Sequence, residues 1–320
     1  MRAYLLRTGT GGVAIALAGG LSLIACGTHP PSTGTRGAEG GTQLSAARPR
    51  VVVLSAAHRT LAERIGGDAV RVELLESGAG RDPQVPPPRA AILAMQSAER
   101  ILVNRSAQEQ WLEKVALPAG QVVELPGELE DFPAESVGIA HRHGPTGTPH
   151  SHAAATLPWL DLESAALQAE AIREALSELL PGQAKAFRER SDALENELME
   201  LDRAIQATAA RLEDRPFLIV GADLAAFTHR YGLEATVIRE TPDGEAELFL
   251  QELDRKRGSD PGTVLLLTAP LPPVLQTELG RRGVVVVVLK DGVTSGEGET
   301  YTMQLRHNLE RLDTIPRIAG

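Results

Sequence analysis

The sequence predicts an α/β protein of two lobes, each a small mostly parallel sheet flanked by helices, joined by one long helix. Two observations predict the lobes and a third predicts the link. Short apolar runs alternate with helical periods before residue 126, the pattern of parallel strands with crossover helices. The same alternation resumes after residue 215. Between them, Phe187, Ser191, Leu194, Leu198, Leu201, Ile205, Thr208 and Leu212 recur at alternating steps of four and three, which places them on one stripe of a helix. Pro181-Gly182 precedes this stretch and Arg215-Pro216 follows it, so breakers stand at both ends. About 30 residues at ~1.5 Å rise make a rod of roughly 45 Å. A coiled-coil segment would share the stripe, but the flanking α/β repeats favour a spine between lobes.

The chain has 320 residues, enough for two domains. It is 42% hydrophobic and 23% charged, ordinary for a folded protein. A formal net charge of −10 argues against a nucleic-acid partner, because affinity for phosphate depends on basic contacts. Two Trp, three Tyr and five Phe leave few stacking platforms for sugars or bases. The single cysteine excludes an intrachain disulfide.

Taken in order, residues 1–25 read as a lipoprotein signal. Arg2 and Arg7 precede an apolar run from Val13 to Leu23, too short to span a bilayer. The run ends Leu23-Ile24-Ala25-Cys26-Gly27, which resembles a bacterial lipobox. Cys26 would then carry lipid and become the first residue of an exported protein. The protein would be anchored to a bacterial membrane and face the periplasm or the cell exterior. An ordinary signal peptide with a chance cysteine is the alternative. Residues 26–49 are rich in Gly, Ser, Thr and Pro and read as a flexible tether.

The first lobe covers 50–180. Val51 to Leu54 is a continuous apolar run, as for a strand buried on both faces. Helical sequence from Thr60 to Ile65 stops at Gly66-Gly67. Strands follow at Val70 to Leu75, Ile101 to Val103 and Val122 to Leu125, with helices at Ala90 to Ala98 and Gln108 to Val115. The loop 126–157 has no periodicity and holds four of the eight histidines. They form two His-x-His pairs, His141 with His143 and His150 with His152. Neutral imidazole is a common metal ligand, and a His-rich tract suits zinc. A solvated loop with incidental histidines is the competing reading. Asp161 then N-caps a helix whose apolar face is Leu162, Ala165, Ala169, Ile172, Leu176 and Leu179.

The linking helix is assigned to 181–214 and the second lobe to 215–320. Its strands are Phe217 to Val220, Ala235 to Ile238, Val264 to Leu267 and Val284 to Leu289. Its helices are Leu224 to Tyr231, Glu245 to Lys256, Pro273 to Arg281 and Tyr301 to Leu312. Ligands of open α/β sheets sit at the carboxyl ends of strands, where loops of both lobes would meet. An enzyme is not expected: His-Glu-x-x-His, Gly-x-Ser-x-Gly and Cys-x-x-Cys do not occur, and Cys26 is assigned to lipid.

Several motifs, taken in order, resemble the metal-binding lipoproteins of bacterial zinc and manganese ABC importers over roughly residues 50–315. They are Ile65-Gly66-Gly67-Asp68, Gly80-Arg81-Asp82-Pro83-Gln84, and Asn104 with Glu109, Trp111 and Leu112. The His-rich loop then precedes Trp159-Leu160-Asp161. Arg230-Tyr231-Gly232-Leu233, Thr241-Pro242, Gly298-Glu299-Thr300-Tyr301 and Arg306-His307-Asn308-Leu309 complete the series. The mid-chain histidines and Trp-Leu-Asp separate the chain from the related group that binds iron chelates or corrinoids.

The resemblance implies a site of three histidines and one carboxylate. Here the histidine positions are Gln84, Leu157 and Gly221, and the carboxylate position is Glu299. Three outcomes are open. The site is rebuilt from His58, expected to face the cleft, with the loop histidines and Glu299. Alternatively the loop alone holds metal. In the third, the scaffold has lost cleft binding and serves envelope protein contacts or another small ligand. The resemblance implies capture of a divalent ion, zinc first and manganese second, as transported ligand. It also implies presentation of that ion to an ABC permease in the cytoplasmic membrane. The stiff spine implies little hinge opening.

Overall fold

The computed structural model describes residues 47–75, 84–104, 107–127, 140–141, 150–151, 157–239, 242, 246–258 and 262–316. The signal with Cys26, the tether up to residue 46, His143 and His152 lie outside the described residues.

A run of valines opens the first lobe because a strand covered on both faces needs apolar side chains on both. Strand β1 (Arg50–Val53) leads into helix α1 (Ala56–Gly66), β2 (Arg71–Leu74), α2 (Arg89–Gln96), β3 (Arg100–Val103) and β4 (Val122–Glu124). All pairs are parallel, in the order β2-β1-β3-β4, and Val51, Val52 and Val53 are fully buried. Gly66 sits where α1 meets the next strand: a Cβ there would lie 2.3 Å from Val70 Cγ2. The α-helix expected at 108–115 is instead a 3-10 segment, Ala107–Lys114, with non-helical dihedrals at Glu109. The Glu109 carboxylate accepts from the Asn104 backbone N–H at 2.9 Å, a side-chain-to-backbone bond at that kink.

Two short strands, β5 (Ala140–His141) and β6 (His150–Ser151), pair antiparallel in the loop expected to lack structure. Helix α3 (Leu162–Leu179) follows, with the Asp161 side chain accepting from the Glu163 N–H at 3.0 Å. The spine follows. Its α-helical part, α4 (Ala184–Ala209), has 26 residues, with 3-10 turns at Pro181–Gln183 and Ala210–Leu212. All eight stripe residues are buried.

The second lobe runs β7 (Phe217–Val220), α5 (Ala225–Arg230), β8 (Ala235–Ile238), α6 (Ala246–Arg257), β9 (Val264–Leu267), α7 (Pro273–Arg281), β10 (Val285–Val288) and α8 (Tyr301–Asp313). Its sheet is again all parallel, in the order β10-β9-β7-β8. The spine packs on α3, α1 and α8. One apolar core therefore continues from Val51 and Val53 through Phe187, Leu198 and Ile205 to Ile219 and Leu266. Each lobe keeps a smaller separate core on its outer sheet face. No helix among the described residues is long and apolar enough to cross a membrane.

Candidate functional site

The lobes meet where the loop after β10 lies against the start of α1. The first N–H groups of a helix have no intrahelical acceptor. Here the Ala56 N–H donates to Val293 O at 3.0 Å and the Ala57 N–H to Gly292 O at 2.8 Å. Trp159 Nε1 donates to Asp291 O at 2.6 Å, and Arg59 Nη2 to Ser295 Oγ at 2.6 Å. Tyr301 closes the seam from the second lobe. Its hydroxyl donates to Trp159 O and its N–H to Thr60 Oγ1. Gly292 has φ +74°, and a Cβ there would lie 2.6 Å from Trp159 Nε1, so close approach of the two lobes requires glycine.

Two acids of the second lobe follow its strands, and the carbonyl of one, Asp291, accepts from Trp159 across the seam. Asp223 stands three residues beyond the end of β7 and Asp291 three beyond the end of β10. β7 and β9 flank the point where strand order reverses, the usual ligand position in such sheets; Asp223 follows β7 there, whereas Asp291 follows β10, the strand beyond β9. Burial, aided by repulsion from Asp291, pushes the Asp223 carboxyl up to about 6. Burial also raises Asp291, against backbone hydrogen bonds, one of them from the Val293 N–H at 2.9 Å, and the charge of Lys290. Asp223 thus senses the charge of Asp291, and like charges that sense each other favour a proton or a nearby cation.

His58, expected from the sequence to face the cleft, is fully buried near the start of α1. Its Nε2 lies 3.2 Å from Gln168 Oε1, and its ring meets Trp159 edge-on with centroids 5.1 Å apart. Burial lowers its pKa to about 4, against the Gln168 hydrogen bond, so it is neutral at ordinary pH. Nδ1 has no hydrogen-bond partner.

Glu299 is held by its neighbours. Its carboxylate lies 3.3 Å from Lys290 Nζ and accepts from Gln304 Nε2 at 3.0 Å and the Gly296 N–H at 3.1 Å. Burial works to raise it, but these bonds and the Lys290 charge keep it below the usual carboxylate range. Gln84 is exposed, with its carbonyl accepting from Lys114 Nζ at 2.8 Å. Leu157 is fully buried in the shared core. Gly221 has φ +64°, and a Cβ there would meet nothing within 4 Å. In the loop, the backbone register sets His141 opposite His150. Among the described residues, no group of three or more His, Cys, Asp or Glu side chains is arranged to hold a metal ion.

Sequence reasoning missed Asp223 and Asp291. The available signal was an acid at the same offset from two strand ends, Val220-Gly221-Ala222-Asp223 and Val288-Leu289-Lys290-Asp291.

Known proteins fit this architecture. The zinc-binding lipoprotein AdcA of Streptococcus pneumoniae is 28% identical over 190 residues, covering 57% of this chain and 37% of AdcA. The iron-binding protein YfeA of Yersinia pestis is 29% identical over 182 residues, covering 55% of this chain and 53% of YfeA. The alignments thus span about a third to a half of these relatives. Among solved structures, the Zn(II)-bound ZnuA-like domain of S. pneumoniae AdcA superposes with a TM-score of 0.64 at 21% identity, covering 84% of this chain and 98% of that one. The metal-dependent lipoprotein YcdH of Bacillus subtilis gives 0.66 at 18% identity, covering 84% and 99%. The family described as the periplasmic zinc-uptake complex component A matches residues 51–315, and the chain belongs to that family.

Proposed function

We propose that this protein is an extracytoplasmic, lipid-anchored component of a metal uptake system. It captures a divalent cation, zinc before manganese, and presents it to an ABC permease. It performs no chemistry on its cargo. The observation that carries this reading is membership of the zinc-uptake family over residues 51–315, and Asp223 and Asp291, two partly buried acids at strand ends, are its candidate ligands in the second lobe. A divalent cation would supply the missing positive charge and displace protons from both. The two His-x-His pairs form a second, looser collector, supported by the opposed register of His141 and His150. His143, His152 and Glu299 complete the candidate donor set, with Glu299 available only if Lys290 yields it.

A second reading is favoured by Leu157 and Gly221, where expected ligands are replaced by a buried apolar side chain and by none. On that reading the scaffold serves protein contacts in the envelope or another small ligand. Zinc calorimetry on the full chain, on Asp223→Asn/Asp291→Asn, and on a chain with the four loop histidines changed to Ala separates these. The expected result is one site that survives loss of the histidines and vanishes with the acid pair. Binding that follows the histidines alone would confine capture to the loop. Zinc binding in none of the three would leave only the second reading.

A further inference from the structure

We propose that Asn308 is a positioning residue for Asp291, an inference that rests on reading Asp223 and Asp291 as the cation site. β10 is an edge strand, paired on one side by β9. Its ladder ends where the Leu289 N–H donates to Leu267 O at 2.8 Å. Beyond that bond the sheet no longer holds the chain, and the next residue is Lys290. Asn308, buried on α8, takes over there. Its Oδ1 accepts from the Lys290 N–H at 2.7 Å, and its Nδ2 donates to Lys290 O at 2.9 Å. One amide thus satisfies both backbone groups of the residue before Asp291.

Asn308 does from α8 what another strand would do at this edge. Aspartate there would lose the donor to Lys290 O, and an apolar residue would lose both bonds. The following peptide is pinned from the other lobe, because Trp159 Nε1 donates to Asp291 O. The carboxylate then folds back onto the Val293 N–H through Oδ1. With residues 290 and 291 fixed at the backbone, the direction of the Asp291 side chain is set before any cation arrives. Asn308 touches no cargo and acts through Asp291.

The test uses the full chain with the four loop histidines changed to Ala, so that only the seam is read. Zinc affinity, zinc-induced tryptophan emission and melting temperature are measured for Asn308→Ala, Asn308→Asp, Asp291→Asn and the double variant Asn308→Ala/Asp291→Asn. Trp159 reports on the site through its bond to Asp291. Partners that orient a metal ligand are worth about 10- to 100-fold in affinity. Asn308→Ala should weaken zinc by that much and alter the emission change even at saturating zinc. Asn308→Asp, which keeps the acceptor, should lose less. The double variant should bind no worse than Asp291→Asn alone. Wild-type affinity and emission in Asn308→Ala, with only a lower melting temperature, would overturn the proposal and leave the cation reading intact. Unchanged binding in Asp291→Asn would overturn both, and it is visible without any Asn308 variant. Should Asn308→Ala fail to fold, wild-type behaviour of Asn308→Asp overturns the proposal, and weakened zinc with altered emission supports it.

Discussion

Asp223 shows how one side chain can be set against the stability of the fold. Its pKa is raised from 3.8 to about 6, first by burial and then by Asp291. A raised carboxyl pKa means the folded state binds the proton more tightly than the unfolded chain. The stability this gives is fully present below about pH 4 and is lost as pH rises through about 6. At neutral pH the ionised side chain therefore destabilises the metal-free protein. About two pKa units correspond to a ceiling of roughly 3 kcal/mol, and residual solvent contact reduces it to about 1–2 kcal/mol. Asp223→Asn should be more stable than the wild type by that amount at pH 7–8 without metal, with the gain fading below about pH 4. Urea titrations at both pH values check this, and a variant less stable at pH 8 would contradict it. Zinc should bind more weakly as pH falls through about 6, because protons compete for the same carboxylates.

Elements were far more legible than side-chain partners. The spine was readable because burial on a helix is periodic and local: its eight stripe positions are all buried. The strands were readable because parallel strands covered on both faces need unbroken apolar runs. The 3-10 segment at Ala107–Lys114 was not, because Glu109 bonds a backbone N–H at Asn104 where the apolar pattern suggested a regular helix. The direction of His58 depended on Gln168, 110 residues further along. The influence of Asp291 on Asp223 depended on two loops that only the folded sheet brings together. At this scale the spine carries a quantitative prediction. Leu198 is fully buried in the core that both lobes share. Leu198→Ala should cost about 2–5 kcal/mol by leaving a cavity. A loss below about 1 kcal/mol in urea unfolding would mean that the spine is less tightly packed than its burial indicates.

For the whole molecule, the question is whether cargo moves the lobes. Hinge closure needs an interface that can open at low cost, and this one is fastened along its length. Backbone donors at the start of α1, Trp159, Arg59 and Tyr301 all bind across the seam. Arg230 adds ion pairs from the second lobe to Asp202 on the spine, at 2.8 Å, and to Asp161 and Glu163 at the start of α3. Below these contacts the apolar core runs through the spine without a break. Opening the lobes would expose that core and orphan the helix N–H groups together, whereas one cation between two carboxylates offers a local interaction. A ligand shifts an equilibrium only by its differential affinity for the two states. The lobes should therefore stay together with and without cargo, leaving local loop movement as the route of entry and release. Small-angle scattering on the full chain should give the same radius of gyration with and without zinc. The same preparations should unfold in one transition, because neither lobe owns a complete core. A radius that shrinks on zinc addition, or two separated unfolding steps, would show that the seam opens and that the spine acts as a hinge.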